Sequence, residues 1–269
     1  MTSERLVLTG LAAIAIVGLL ILPRSGTASA NHGLSSSEHH AAVLVELFTS
    51  EGCSDCPPAD QLLEKLDRSQ PIDGTEVIAL SEHVDYWNNI GWRDPYSSGQ
   101  YSERQGAYAH QFGLSSVYTP QMVVDGKAQF VGSDEGEAIQ AIESASRSAK
   151  LPVSLSSLRS EADKLVLHVD AGPFPPSMQK SAANVLLAIA DETDQSSVTR
   201  GENAGRNLKH VAVLRSLTSV GELDTAGTFS REVTLNFNRD KTQKLRVIAI
   251  VQEPRTGKVL GVELARLAN

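Results

Sequence analysis

Cys53 and Cys56 are the only cysteines of the chain, and they stand in the run Glu51-Gly52-Cys53-Ser54-Asp55-Cys56-Pro57-Pro58. At this spacing the two sulfurs can meet, so a thiolate on one can attack a disulfide and the other can resolve the mixed disulfide. The flanking sequence suits that chemistry. Ala42 to Ser50 contains Val-Leu-Val-Glu-Leu-Phe, which reads as a largely buried strand. Pro57 and Pro58 are tolerated in a first helical turn, where the N–H groups lack intrahelical partners. Ala59, Leu62, Leu63 and Leu66 then follow the spacing of an amphipathic helix. A pair placed where a strand feeds a helix N-terminus lies at the positive end of the helix dipole, which stabilises a thiolate. Cys53 is the expected nucleophile and Cys56, one turn further in and less exposed, the expected resolving thiol.

Three other readings of the pair compete. A structural disulfide closing so short a ring gains only about 2 kcal/mol in the loop-entropy account, against about 3 kcal/mol for a fifteen-residue ring. Structural zinc asks for a second Cys or His pair at a recognisable spacing, and none is visible. An inert reduced pair conflicts with an oxidising compartment.

The elements that must position the pair follow in order. Thr75 to Val84 reads as a second strand, and a helical stretch fills about Ser97 to Phe112. Thr119-Pro120 then opens a short apolar strand ending in the turn Asp125-Gly126, with Ala128 to Val131 as the return strand of a hairpin. Ser133 or Asp134 can cap a last helix that carries Ile139, Ile142 and Ala145 on one face. Between the second strand and Pro120 lies an unusual segment. Both tryptophans and all five tyrosines fall between positions 86 and 118. Tyr86, Trp87 and Trp92 offer an apolar face with a polar tip and read equally as a substrate-binding rim or as packing of the segment onto its domain.

This order of elements resembles the thioredoxin superfamily over residues 41–150. The resemblance implies that Pro120 is cis and that its loop lies against the cysteines, with Thr119 binding substrate backbone. The sequence departs from ordinary thioredoxins at Gly52, where a Trp usually stands, and at Ser54 and Asp55. Carboxylates at Asp55 and Glu51 should oppose thiolate formation, so Cys53 is expected to have a less depressed pKa than in strongly oxidising relatives. The cysteine run, the block His83-Val84-Asp85-Tyr86-Trp87 and Val117-Tyr118-Thr119-Pro120-Gln121 resemble the secreted bacterial family known as domain of unknown function 1223.

Residues 151–269 read as a second domain. Phe229 to Phe237 alternates as a half-buried strand does, and 153–158, 165–169, 185–190, 211–217, 245–251 and 259–264 continue the pattern. Seven short strands suggest an all-β, sandwich-like domain behind the α/β thioredoxin-like one. The Gly- and Asn-rich segment Arg200 to His210 reads as a hairpin approach or interdomain loop, with Arg206 and His210 facing the cysteines as the alternative. His168 sits in a strand pattern and reads as structural.

Residues 1–30 have the layout of a secretory signal: Arg5, an apolar run from Leu6 to Leu22, and Ala28-Ser29-Ala30 as the cleavage site. An uncleaved anchor is the alternative. Residues 31–40 read as a flexible lead-in, whose His32, His39 and His40 belong to a solvated tail. Removing residues 1–30 takes the net charge from −8 to −9. An acidic protein argues against nucleic acid or an anionic membrane as partner. The sequence therefore points to a periplasmic or secreted thiol-disulfide oxidoreductase. Its partner would be an exported thiol or disulfide protein or a small thiol, and no bound cofactor is required. Two alternatives stand beside it: copper(I) held by Cys53, Cys56 and His83, and a non-catalytic binding module.

Overall fold

The computed structural model describes residues 41–161, 163–236 and 244–267. The N-terminal leader and lead-in, with His32, His39 and His40, lie outside the described residues, as does Phe237. In chain order the first half holds β1 (Ala41–Thr49), α1 (Pro57–Ser69), β2 (Thr75–His83), α2 (Gly99–Gln111), β3 (Gln121–Val124), β4 (Ala128–Val131) and α3 (Glu135–Ser146). The second half holds β5 (Val153–Glu161), β6 (Lys164–Ala171), β7 (Asn184–Ser197), β8 (Asn207–Glu222), β9 (Phe229–Asn236), β10 (Leu245–Gln252) and β11 (Val259–Leu267).

Local chemistry explains the helices. The side chain of Ser98 accepts from the Gln100 N–H at the start of α2, and that of Asp134 accepts from the Glu137 N–H at the start of α3. Each satisfies a donor that the helix cannot. The β3–β4 turn puts Asp125 and Gly126 both at positive φ, 51° and 63°, as a tight hairpin requires.

The strands form a mixed eight-stranded sheet in the order β11-β10-β7-β8-β2-β1-β3-β4, and a separate three-stranded sheet β5-β6-β9. β1 runs parallel to β2 and antiparallel to β3. β1 is largely apolar because both its faces are covered, and its one charged residue, Glu46, is paired with Arg104. Val43, Val45 and Leu47 pack with Leu62, Leu63 and Leu66 of α1 and Ile142 of α3. Leu44 points the other way, toward Ile78, Leu80 and Tyr101.

The arrangement differs from the expected pair of separate domains. The anticipated boundary near residue 150 falls between α3 and β5, yet β7, β8, β10 and β11 join the sheet of the first half through a parallel contact of β8 with β2 at Ser81↔Val213. Only β5, β6 and β9 form an independent layer, packed over Val185, Leu187, Val247 and Val251. The physical reason is a shared core: Leu44, Ile78 and Tyr101 bury their surfaces against Ala188, Leu214, Ile248 and Ile250. The described residues accordingly belong to one compact unit.

Two polar ties run through the same seam. Arg104 of α2 donates to Glu46 at 2.5 and 2.8 Å, to Glu82 at 3.3 Å and to Gln252 of β10 at 3.0 Å. Burial pushes Glu82 well above the usual carboxylate range, and Arg104 offsets this only in part. Arg246 of β10, itself 1% exposed, forks onto Asp67 of α1 at 2.6 and 2.8 Å and onto Glu192 at 2.7 and 2.9 Å. Because its removal strands two carboxylates at the seam, Arg246→Ala should cost about 3 kcal/mol, the lower end for breaking a buried pair. Urea unfolding followed by circular dichroism should show the loss as a shift of one cooperative transition; two separate transitions would contradict the single unit.

Candidate functional site

β1 ends at Thr49, and the chain turns sharply so that the Cys53 N–H donates to the Ser50 carbonyl at 3.1 Å. Helix α1 begins at once, with the N–H groups of Ala59 and Asp60 donating to the Cys56 carbonyl at 2.9 and 3.1 Å. Cys53 and Cys56 are joined in a disulfide, their Cα atoms 5.4 Å apart. Ser54 and Asp55, between them, are exposed. The cysteines are not: Cys53 is 1% and Cys56 0% exposed. The two are thus buried alike, where Cys56 was expected to be the less exposed, and the β7–β8 connection packs against the backbone of the turn. Asn203 donates from Nδ2 to the carbonyls of both Glu51 and Cys53, each at 2.9 Å, and the Ser54 N–H donates to Glu202 Oε2 at 3.1 Å.

Glu51, two residues ahead of Cys53, is fully buried. Its carboxylate accepts from Trp92 Nε1 at 2.8 Å and from the Ser196 hydroxyl, and meets His210 Nε2 at 3.1 Å. Burial alone would raise its pKa, but the hydrogen bonds from His210, Ser196 and Trp92 outweigh burial and hold it below the usual value. His210 shows the complementary shift. Burial opposes its charge, yet Asp60, 3.7 Å from Nδ1, and Glu51 push its pKa up to about 10. A second dyad lies beside it: His83 Nδ1 is 2.7 Å from Asp94 Oδ2, and the His83 and His210 rings meet edge-on with centroids 4.6 Å apart. Asp94 Oδ2 also accepts the Glu51 N–H at 2.8 Å. His83, Asp94, Glu51 and His210 thus form one buried network behind the cysteine turn. Within this network the Glu51 carboxylate is paired with His210, which also faces Asp60.

The Thr119-Pro120 bond is cis. Thr119, Pro120, Tyr118 and Val131 face Ser54, Asp55 and Pro58 across an open cleft of about 460 Å³, so the proline loop does lie beside the cysteine turn. Trp87 links the two: Nε1 donates to Thr119 Oγ1 at 2.8 Å, and its Cβ packs so closely on Gly52 that a methyl there would stand 3.0 Å away. Gly52 therefore occupies the position before the first Cys because Trp87 fills the space a side chain would need. Trp92 reaches Glu51 and not the cleft, and Tyr86, 39% exposed, donates to Gln105 Oε1 at 3.1 Å. The aromatic segment thus supports the site from behind more than it lines it.

Of the second-half candidates, His210 joins the network and Arg206 is exposed. His168 lies away on β6, Nε2 3.0 Å from the Ser230 hydroxyl. Asn203, Glu202, Ser196 and Asp94 were not singled out from the sequence; the signals were the turn composition of Arg200 to His210 and, for Asp94, its place in the aromatic segment. Among the described residues no three His, Cys, Asp or Glu side chains are grouped to hold a metal ion, and His83 is engaged by Asp94.

Fold and site define a mixed α/β protein with a shielded Cys-x-x-Cys disulfide between a central strand and its helix. The chain belongs to the family described as protein of unknown function (DUF1223), which matches residues 44–252. It is similar to the crystal structure of a structural-genomics target from Agrobacterium tumefaciens, at 26% identity and a TM-score of 0.62, over 84% of this chain and 97% of that one. It also shares its fold with HBP35 of Porphyromonas gingivalis, at 14% identity and a TM-score of 0.60, over 84% of this chain and 75% of that one. No curated protein matches the sequence.

The raised pKa of His210 sets a pH dependence. A group more basic in the folded than in the unfolded state stabilises fully below its unfolded value, near 6.5, and loses that contribution as pH rises through its folded value. Stability should therefore fall between about pH 6.5 and 10, and His210→Gln should be less stable at pH 6 with this slope flattened. Thermal melts of both forms across that range check it; parallel pH profiles would show that His210 is not the titrating group.

Proposed function

We propose that the protein is an exported thiol-disulfide oxidoreductase acting through Cys53 and Cys56. The observation that carries this reading is the placement of the pair at the β1–α1 turn, across a cleft from cis Thr119-Pro120. The order β2-β1-β3-β4 with α1, α2 and α3 supports a thioredoxin-like first half. The leader-like residues 1–30 support export, where disulfides persist.

In the reduced protein the Cys53 thiolate attacks a substrate disulfide. The substrate S–S bond breaks, one substrate sulfur leaves as a thiolate and takes a proton, and a mixed disulfide forms. Cys56 loses its proton and attacks the Cys53 sulfur, expelling the second substrate thiol. Two electrons and two protons pass to the substrate, and the protein is left with the Cys53–Cys56 bond. The same steps reversed oxidise a substrate dithiol, and neither direction needs a bound cofactor. Thr119 and Pro120 offer backbone beside the reacting sulfurs, and Trp87 positions Thr119.

One observation favours a second reading. Both sulfurs are buried, as in a structural disulfide that only fixes the turn within a binding module. Redox potential separates the two. Titration of the purified protein against defined thiol-disulfide buffers, read by alkylation mass shift, should place the pair reversibly between about −270 and −120 mV, the range of working oxidoreductases. A potential below about −300 mV would mark a structural bond and sink the exchange reading. Cys53→Ser should abolish exchange with an oxidised protein substrate while leaving the fold intact.

A further inference from the structure

The cover over the cysteines comes from far along the chain and is itself well built. The connection between β7 and β8 closes on itself, with Gly205 N–H donating to Val198 O at 2.8 Å and Val198 N–H to Arg206 O at 2.9 Å. Gly201, at φ +75°, lies against Trp92, leaving 3.1 Å between an added methyl and the Trp92 Cβ. Asn203 is 0% exposed. Its carboxamide donates to the carbonyls of Glu51 and Cys53, the latter also accepting the Cys56 N–H at 3.3 Å within the turn, while the carboxylate of Glu202 takes the Ser54 N–H.

These three backbone groups, two acceptors and one donor flanking Cys53, form the set that an extended polypeptide satisfies with its own N–H and C=O groups. A small thiol has few such groups to offer. The surroundings match. Among the described residues the exposed large apolar side chains are Tyr86, Ile90, Val117 and Val131. Val131 lines the cleft with Pro120, and Val117 stands two residues before Thr119. Ile90 precedes Gly91, which abuts Gly201 of the cover.

We propose that the β7–β8 tip is an internal stand-in for a polypeptide substrate: Asn203 and Glu202 occupy the backbone groups beside Cys53 that a substrate chain takes over when the tip lifts. This names the substrate class of the exchange reading and rests on it. Polypeptide thiols compete directly for those groups, and small thiols wait for the tip to open.

The test compares two monothiols at equal thiolate concentration, N-acetylcysteine and an unstructured capped decapeptide containing one Cys, on the oxidised full-length protein. The probe thiolate attacks Cys53 Sγ, the Cys53–Cys56 bond breaks, and Cys56 leaves as a thiolate that is trapped by iodoacetamide; the mixed disulfide is counted by mass. Losing the Asn203 bonds in Asn203→Ala should speed N-acetylcysteine at least about tenfold but the decapeptide less than about threefold. Equal acceleration of both probes would overturn the stand-in, and no acceleration of either would overturn the cover itself. Should Asn203→Ala fail to fold, Glu202→Gln, whose side chain is on the surface, should give the same ordering at about threefold for N-acetylcysteine and none for the decapeptide. Neither probe reports turnover. A protein that gives the expected ordering but never catalyses exchange leaves the tip's role standing and removes only the exchange reading.

Discussion

A carboxylate cannot be buried without partners, and Glu51 is buried completely at the most sensitive point of the chain, two residues before the first cysteine. Everything around the turn answers that requirement. Trp92 comes from the aromatic segment, Ser196 from the end of β7 and His210 from β8. Asn203 then takes the backbone carbonyl of Glu51. Residues distant in sequence are held together by one charge that none of them can neglect. The positive charge of His210 is in turn shared with Asp60 of α1, so the helix carrying Cys56 is fastened to the same point.

The requirement also explains why the second half of the chain is not a detachable layer. For Ser196, Asn203 and His210 to reach Glu51, β7 and β8 must enter beside β2. Once there, they find apolar partners ready, since Ile78 and Leu80 present their second face to Leu214 and Ala188. The polar network sets direction and register, and the apolar surface supplies the larger part of the stabilisation.

Against this background it is clear which parts could be read from residue patterns. α1 was legible because Ala59, Leu62, Leu63 and Leu66 repeat at a helical period behind two prolines, and all four are buried. The β3–β4 hairpin was legible from Asp125-Gly126, and α3 from Asp134 with Ile142. The strands of the second half were also found, Val185 to Ala190 and Val211 to Leu217 among them. What alternation could not supply was the sheet they join: a strand buried on one face looks the same whether its neighbour lies in its own domain or across the chain. For the same reason Cys53 was read as the more exposed of the two cysteines. Its neighbours Ser54 and Asp55 are polar and exposed, and nothing local announces that Asn203 will cover it. The aromatic segment was conspicuous by composition, but composition does not tell a rim from a support. In the structure Trp87 and Trp92 spend their indole N–H groups on Thr119 and Glu51.

The cover has a consequence in time. Asn203 lies 150 residues after Cys53, and β8 must pair with β7 and β2 before the tip is in place. In a chain dominated by such distant pairings these contacts form late, because loop closure precedes any reward. During folding the two thiols therefore stand open to whatever oxidant surrounds them, and their ring, needing only four consecutive residues, can close first. Later assembly then buries both cysteines. Both cysteines, 1% and 0% exposed in the finished molecule, are thus most reachable before β8 docks.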